Sequence, residues 1–180
     1  MSHLNVAISL VRGALWRSRR GVLAASTPRI LGPRCRLVIE RGAQLRLGRY
    51  CSFDRDVEIV VYRGACLELG DHVYVGHGST IACAESIVIG NESMIADLVS
   101  IRDMSHRRIP GKPLREGGME TRPIRIGSNC WIASKVTLVA GARLGDEVTV
   151  AANAVVVGAV AAGTIVGGIP ARPLVNRADV

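Results

Sequence analysis

Aromatic side chains are nearly absent from this 180-residue chain: one Phe, three Tyr and two Trp make up 3% of it, while 48% is hydrophobic. Wide gaps between packed layers are normally filled by aromatic rings, so the scarcity argues against a thick mixed core. A narrow core of Val, Ile, Leu and Ala is expected instead. Paired cysteines are lacking as well. The five (Cys35, Cys51, Cys66, Cys83, Cys130) form no Cys-x-x-Cys pair, and an odd, dispersed set argues against a disulfide framework and for a reducing cytoplasm.

Long apolar runs are missing too. The run at residues 4–15 is interrupted by Asn5, Ser9, Arg12 and Gly13 and followed by Arg17, Arg19 and Arg20. It is too short to span a bilayer and no clear signal-cleavage pattern follows it, so a cytoplasmic location is expected. The same basic amphipathic segment leaves a peripheral membrane contact open. The net charge of +8, from 23 Lys and Arg against 15 Asp and Glu, raises the prospect of an anionic partner such as a phosphorylated cofactor. Without a zinc knuckle, an aromatic RNA platform or a long Lys/Arg tract, nucleic acid is not expected. No shift in composition divides the chain, which favours one main domain.

What is present is a repeat. An aliphatic residue followed by a small or acidic one recurs every six residues, starting hexads at Ile126, Ile132, Leu138, Leu144, Val150 and Val156. Four positions after each lies a small or β-branched residue: Cys130, Val136, Ala142, Val148, Ala154 and Val160. The same phase runs through Leu47, Phe53 and Ile59, then Leu69, Val75 and Ile81, then Ile89, Ile95 and Ile101. A helix needs spacing near 3.6 and a hairpin strand needs alternation; a six-residue beat with Gly, Asp or Asn at the turns fits a triangular all-β solenoid. Each hexad then supplies a short strand and a turn, with the aliphatic residue pointing inward. Cys35, Cys51 and Cys130 fall on the small inward position, where a thiol serves as a small hydrophobe. The expected organisation is an N-terminal basic, partly helical cap over residues 1–29, a solenoid over 30–175 and a tail over 176–180.

The beat stops at Ile101 and resumes at Ile124 or Ile126, so residues 102–123 form an extruded loop containing Pro110, Gly111, Pro113, Gly117, Gly118 and Pro123. Long excursions from a rigid scaffold tend to carry function. Its root reads Arg102-Asp103-Met104-Ser105-His106-Arg107-Arg108.

Ile95-Ala96, His106 at the loop root, the stretch Ile124-Arg125-Ile126-Gly127-Ser128-Asn129-Cys130-Trp131-Ile132 and Gly168-Ile169-Pro170-Ala171-Arg172 occur here in the order in which this chain resembles the hexapeptide-repeat acyltransferases. The resemblance is greatest to the branch of galactoside and maltose acetyltransferases and polysaccharide O-acetyltransferases. It implies a left-handed parallel β-helix, against the usual right-handed crossover rule, and an acyl-CoA co-substrate, acetyl-CoA first, with no metal. The acceptor is expected to be a sugar or other small hydroxyl compound, or a glycan.

In that family pattern His106 is the general base, and a neutral imidazole suits removal of a hydroxyl proton. Asp103 either holds the second ring nitrogen or only shapes the loop. Trp131 borders the acceptor or acyl pocket, with Asp97 a further candidate there. Ser134 and Ala152 line the pantetheine groove by their backbones, and Arg172 meets the nucleotide phosphates, whose geometry an arginine matches. Where the family often has Thr-Lys this chain has Val157-Gly158, and where galactoside-type enzymes place a sugar-binding Asn and Asp it has about Gly76 and Ala84. Family members are usually homotrimers with intersubunit sites.

Three other readings compete. An amino-sugar N-acetyltransferase shares the chemistry. A γ-class carbonic anhydrase-like metal enzyme is suggested by His72 and His77, although three convergent histidines would be needed. A non-catalytic β-helix scaffold would keep the fold alone.

Overall fold

The computed structural model describes residues 3–176. A short helix, α1 (His3–Arg17), precedes a parallel β-helix of three faces. The first face stacks Val22–Ala24, Gln44–Leu47, Cys66–Leu69, Ser86–Ile89, Ile124–Ile126, Arg143–Leu144 and Ala159–Val160. The second stacks Ile30–Leu31, Ser52–Phe53, Tyr74–Val75, Met94–Ile95, Trp131–Ile132, Thr149–Val150 and Thr164–Gly167. The third stacks Arg36–Ile39, Glu58–Val61, Thr80–Cys83, Ser100–Arg102, Thr137–Leu138 and Val155–Val156. Each strand pairs in parallel register with its counterpart one coil away, as Ile95 does with Val75 and Ile132.

The hexad has a conformational cause. In the later coils, residues Asn129, Lys135, Gly141, Glu147 and Asn153, each six after the last, all have φ between 54° and 88°. One left-handed residue per hexad turns the chain at these corners, a conformation tolerated most readily by Gly and Asn. The small residue opening a corner has a separate reason: a Cβ on Gly90 would stand 2.5 Å from the Gly127 carbonyl carbon and from the Ser128 nitrogen of the next coil. Between corners the aliphatic residues line the interior. Ile126, Ile132, Leu138, Leu144, Val150 and Val156 are all buried, as are Cys130, Val136, Ala142, Val148 and Ala154. Fully burying one such side chain stabilises the fold by about 1.5–3 kcal/mol. Cys51 and Cys130 occupy this interior, Cys35 reaches it half-buried, and Cys83 is buried as well.

One expected boundary moves. The solenoid begins at Val22, not at residue 30, because Val22–Ala24 pairs in register with Leu45–Leu47. Of the expected cap, α1 and the turn after it lie outside the coil, and Trp16 seals the open end by packing its ring 5.3 Å from that of Phe53. At the other end Arg172–Asn176 turns back antiparallel on Thr164–Gly167, covering the edge of the second face. Of the tail expected at 176–180, everything after Asn176 lies outside the described residues.

Candidate active site

Where the hexad beat stops, the chain does not wander off as a loose loop. Ser100–Arg102 still pairs with both neighbouring coils, and the strands Met104–His106 and Met119–Thr121 then form an antiparallel ribbon. A 3-10 turn at Leu114–Glu116 lies towards its far end. Arg107 N–H donates to Gly118 O at 3.0 Å, and Gly117 is packed so closely that a Cβ there would stand 1.8 Å from Arg107 O. At the base, Arg122 N–H donates to Asp103 O and Gly141 N–H to Arg122 O, which ties the ribbon into the next coil.

Asp103 is fully buried. Its Oδ1 accepts the Ala84 N–H at 2.6 Å, and Oδ2 accepts those of Glu85 and Ser86 at 2.9 and 2.8 Å, with the Cys83 thiol donating at 3.7 Å. The reason is the preceding coil. Three other corners between the third and first faces turn through a glycine with positive φ (Gly42, Gly64, Gly141). Between Thr80–Cys83 and Ser86–Ile89 only Ala84 and Glu85 intervene, and the carboxylate one coil on satisfies the amides this tighter corner leaves exposed. Of the two roles open to Asp103, orienting His106 or shaping the loop, the geometry gives the second. Burial, with Asp103 beside it, pushes the Cys83 thiol up to about 12.

His106 is exposed on the ribbon, opposite Met119. Among the described residues it makes no side-chain hydrogen bond, so both ring nitrogens are available to a ligand. A cavity of about 230 Å³ opens at the ribbon root, lined by Arg102, Ser105, Arg122 and Val139 among others. Sequence reasoning missed Arg102 and Arg122 as cations of this cavity; they sit at the two ends of the interrupted segment, the one signal that would have paired them.

Three of the other expected residues share a corner. Asp97, Ser134 and Ala152 lie between the second and third faces in successive coils, linked by Lys135 N–H to Asp97 O and Asn153 N–H to Ser134 O. The neighbouring positions at that corner, Ala133, Ser134, Ala151 and Ala152, are all small. The Asp97 Oδ1 accepts the His77 N–H at 3.0 Å, a structural bond at a coil corner. It also accounts for Gly76, since a Cβ there would lie 2.6 Å from that Oδ1.

Trp131 stands outward on the second face, half-exposed beside Met94. Arg172 is exposed at the closing strand, its Nη1 donating to Ala171 O. Within one chain the fold therefore groups Asp97, Ser134 and Ala152 at one corner with Trp131 on the adjoining face. His106 and Asp103 belong to another corner. His72 and His77 sit at opposite edges of the second face, one stacked on Tyr50 at 4.9 Å and the other 3.2 Å from Arg55 O. They do not converge as a metal site requires, and among the described residues no group of three metal-binding side chains occurs.

A parallel β-helix interrupted by one histidine-bearing ribbon defines the class of the molecule. Residues 123–158 match the family model for the bacterial transferase hexapeptide, six repeats. A probable acetyltransferase of Mycobacterium tuberculosis is 33% identical over 75% of this chain, which spans only 45% of that relative's length. WbbJ of Escherichia coli, named for O-acetyl transfer in lipopolysaccharide biosynthesis, is 26% identical over 80% of each chain. Galactoside O-acetyltransferase of Escherichia coli is 28% identical over 61% of this chain and 53% of its own. Among solved structures, a hexapeptide-repeat acetyltransferase of Vibrio cholerae complexed with acetyl coenzyme A has a TM-score of 0.60 at 25% identity, over 92% of this chain and 76% of that one. The N-acyltransferase AntD of Bacillus cereus reaches a TM-score of 0.75 over 92% and 89% of the two chains at 12% identity, a likeness of fold. Residues 123–158 thus carry the transferase hexapeptide repeat, on a fold shared with solved hexapeptide-repeat acetyltransferases.

Proposed function

We propose that this protein is an acyl-CoA-dependent O-acyltransferase, acetyl-CoA being the donor, acting on a sugar or other small hydroxyl acceptor in the cytoplasm. The observation that carries the reading is His106: an exposed imidazole with no side-chain hydrogen bond among the described residues, on a ribbon whose base is fixed by Asp103 and Arg122.

In the proposed reaction the acceptor hydroxyl donates its proton to a ring nitrogen of His106 as its oxygen attacks the thioester carbon. Collapse of the tetrahedral species expels the CoA thiolate, and His106 returns the proton to that sulfur. Such a base contributes about a hundredfold to ten-thousandfold in rate. The corner at Ser134 and Ala152 would receive the pantetheine arm, Arg172 the nucleotide phosphates, and Trp131 with Asp97 the acceptor or acyl group. Because His106 and Trp131 belong to different parts of one prism, a homotrimer would complete the site by setting His106 of one protomer against Trp131 of its neighbour.

The test is transfer from radiolabelled acetyl-CoA to a panel of glycosides, sugar nucleotides and amines, with His106→Ala in parallel. Transfer to hydroxyl acceptors that the variant loses supports the reading. Equal transfer by the variant removes His106 from the role, and transfer to amino sugars alone selects N-acylation, the reaction named for AntD.

A further inference from the structure

The charge of this protein is not spread along the chain. Residues 1–39 contain seven arginines (Arg12, Arg17, Arg19, Arg20, Arg29, Arg34, Arg36) and no Asp or Glu. With totals of 23 basic and 15 acidic residues, the remainder of the chain has 16 against 15, so nearly the whole excess sits at one end of the solenoid. Arg34 and Arg36 are consumed by Asp56 and Glu58 of the next coil, and Arg19 donates to Leu37 O. Arg12, Arg17 and Arg20 have no ion-pair partner among the described residues.

The same end exposes apolar surface. Helix α1 turns Gly13 and Trp16 inward against Thr27, Pro28 and Phe53. Its opposite face presents Ile8, Val11 and Leu15, at spacings of three and four residues, with Val11 and Leu15 each 62% exposed. On the first strand Leu23, 57% exposed, shares an open groove with Arg17 and Arg46. Among the described residues no helix is long and apolar enough to cross a membrane.

We propose that α1 and the basic turn after it dock the capped end of the solenoid on an anionic phospholipid surface, with Ile8, Val11 and Leu15 entering the headgroup region and Arg12, Arg17 and Arg20 meeting lipid phosphates. An apolar face flanked by arginines is the arrangement for lying in a membrane interface, and each cation near an anionic leaflet adds to the attraction. Docking through the end leaves the side faces and the ribbon of residues 102–123 clear of the surface.

The experiment is co-sedimentation of the full chain with vesicles of phosphatidylcholine alone or mixed with phosphatidylglycerol, at low and raised salt. Expected are binding to the mixed vesicles only, weakened by salt, and a partition coefficient lowered by about tenfold or more in Val11→Glu/Leu15→Glu and in Arg17→Glu/Arg20→Glu. These side chains are exposed, so circular dichroism and the melting transition should match the parent. No binding to the mixed vesicles, equal binding to neutral ones, or binding that neither variant reduces overturns the proposal. So does a change in sedimentation of Val11→Glu/Leu15→Glu without lipid, which would mean that a second copy of the chain covers this face.

Discussion

Asp103 Oδ1 lies 2.6 Å from the backbone nitrogen of Ala84, one coil back, and this contact fixes where the ribbon carrying His106 leaves the solenoid. The carboxylate is spent on three amides of a tight corner. Replacement by Asn puts an N–H donor where only acceptors fit, and each buried amide left unpaired costs about 1–3 kcal/mol. Asp103→Asn should lower stability in denaturant melts by that order and reduce transfer. The pH profile of its residual activity should keep the parent shape; a shifted profile would mean that the carboxylate tunes His106 after all.

Substitution of His106 should separate chemistry from folding. The ring is exposed and holds nothing else in place, so His106→Gln should melt with the parent while kcat falls by about a hundredfold to ten-thousandfold. Steady-state kinetics with acetyl-CoA, together with a thermal melt, read both. A comparable loss of stability would instead make the histidine structural.

Gly117 and Gly90 should fail in different ways. Gly117→Ala drives a Cβ into the Arg107 carbonyl oxygen and should distort the ribbon, lowering activity with little change in the melting of the coil. Gly90→Ala jams two stacked coils at 2.5 Å and should cost about 1–3 kcal/mol, the usual range for overpacking. Parallel melts and transfer assays on the two variants distinguish these outcomes.

Thiol chemistry should follow burial. Burial pushes Cys51 from 9.0 up to about 11, and burial followed by the neighbouring Asp103 pushes Cys83 to about 12. Both folded values lie above that of the unfolded chain, so their contribution is complete below pH 9.0 and fades as pH rises through about 11 to 12. Melting temperature should therefore decline on the alkaline side above 9.0, and less steeply in a Cys83→Ala variant. At about pH 8 a thiol reagent should leave Cys51, Cys83 and Cys130 unmodified until the protein unfolds. In acid the exposed pairs Arg34–Asp56 and Arg49–Asp71 hold their carboxylates below the usual range. That contribution is present above the ordinary aspartate value and lost as pH falls through the lowered one; solvent exposure keeps it small.

The sequence by itself determined the solenoid, its interior and the place where it is interrupted. Those features are local: in the later coils one left-handed residue every six turns the chain, so Ile126, Ile132 and Leu138 face inward whatever lies beyond their own hexads. The start at Val22 escaped it because a three-residue strand needs its partner at Leu45–Leu47 to be recognised. It escaped, too, in the direction Asp103 faces, since the amides that claim the carboxylate are brought to it from 17 to 19 residues away by coil stacking. The separation of His106 from Trp131 has the same origin: proximity between corners depends on which edge of the prism the ribbon leaves, and only the stacked coils decide that. His106 was marked by standing where the repeat stops; tertiary structure gave it a ribbon, a fixed base and an exposed ring.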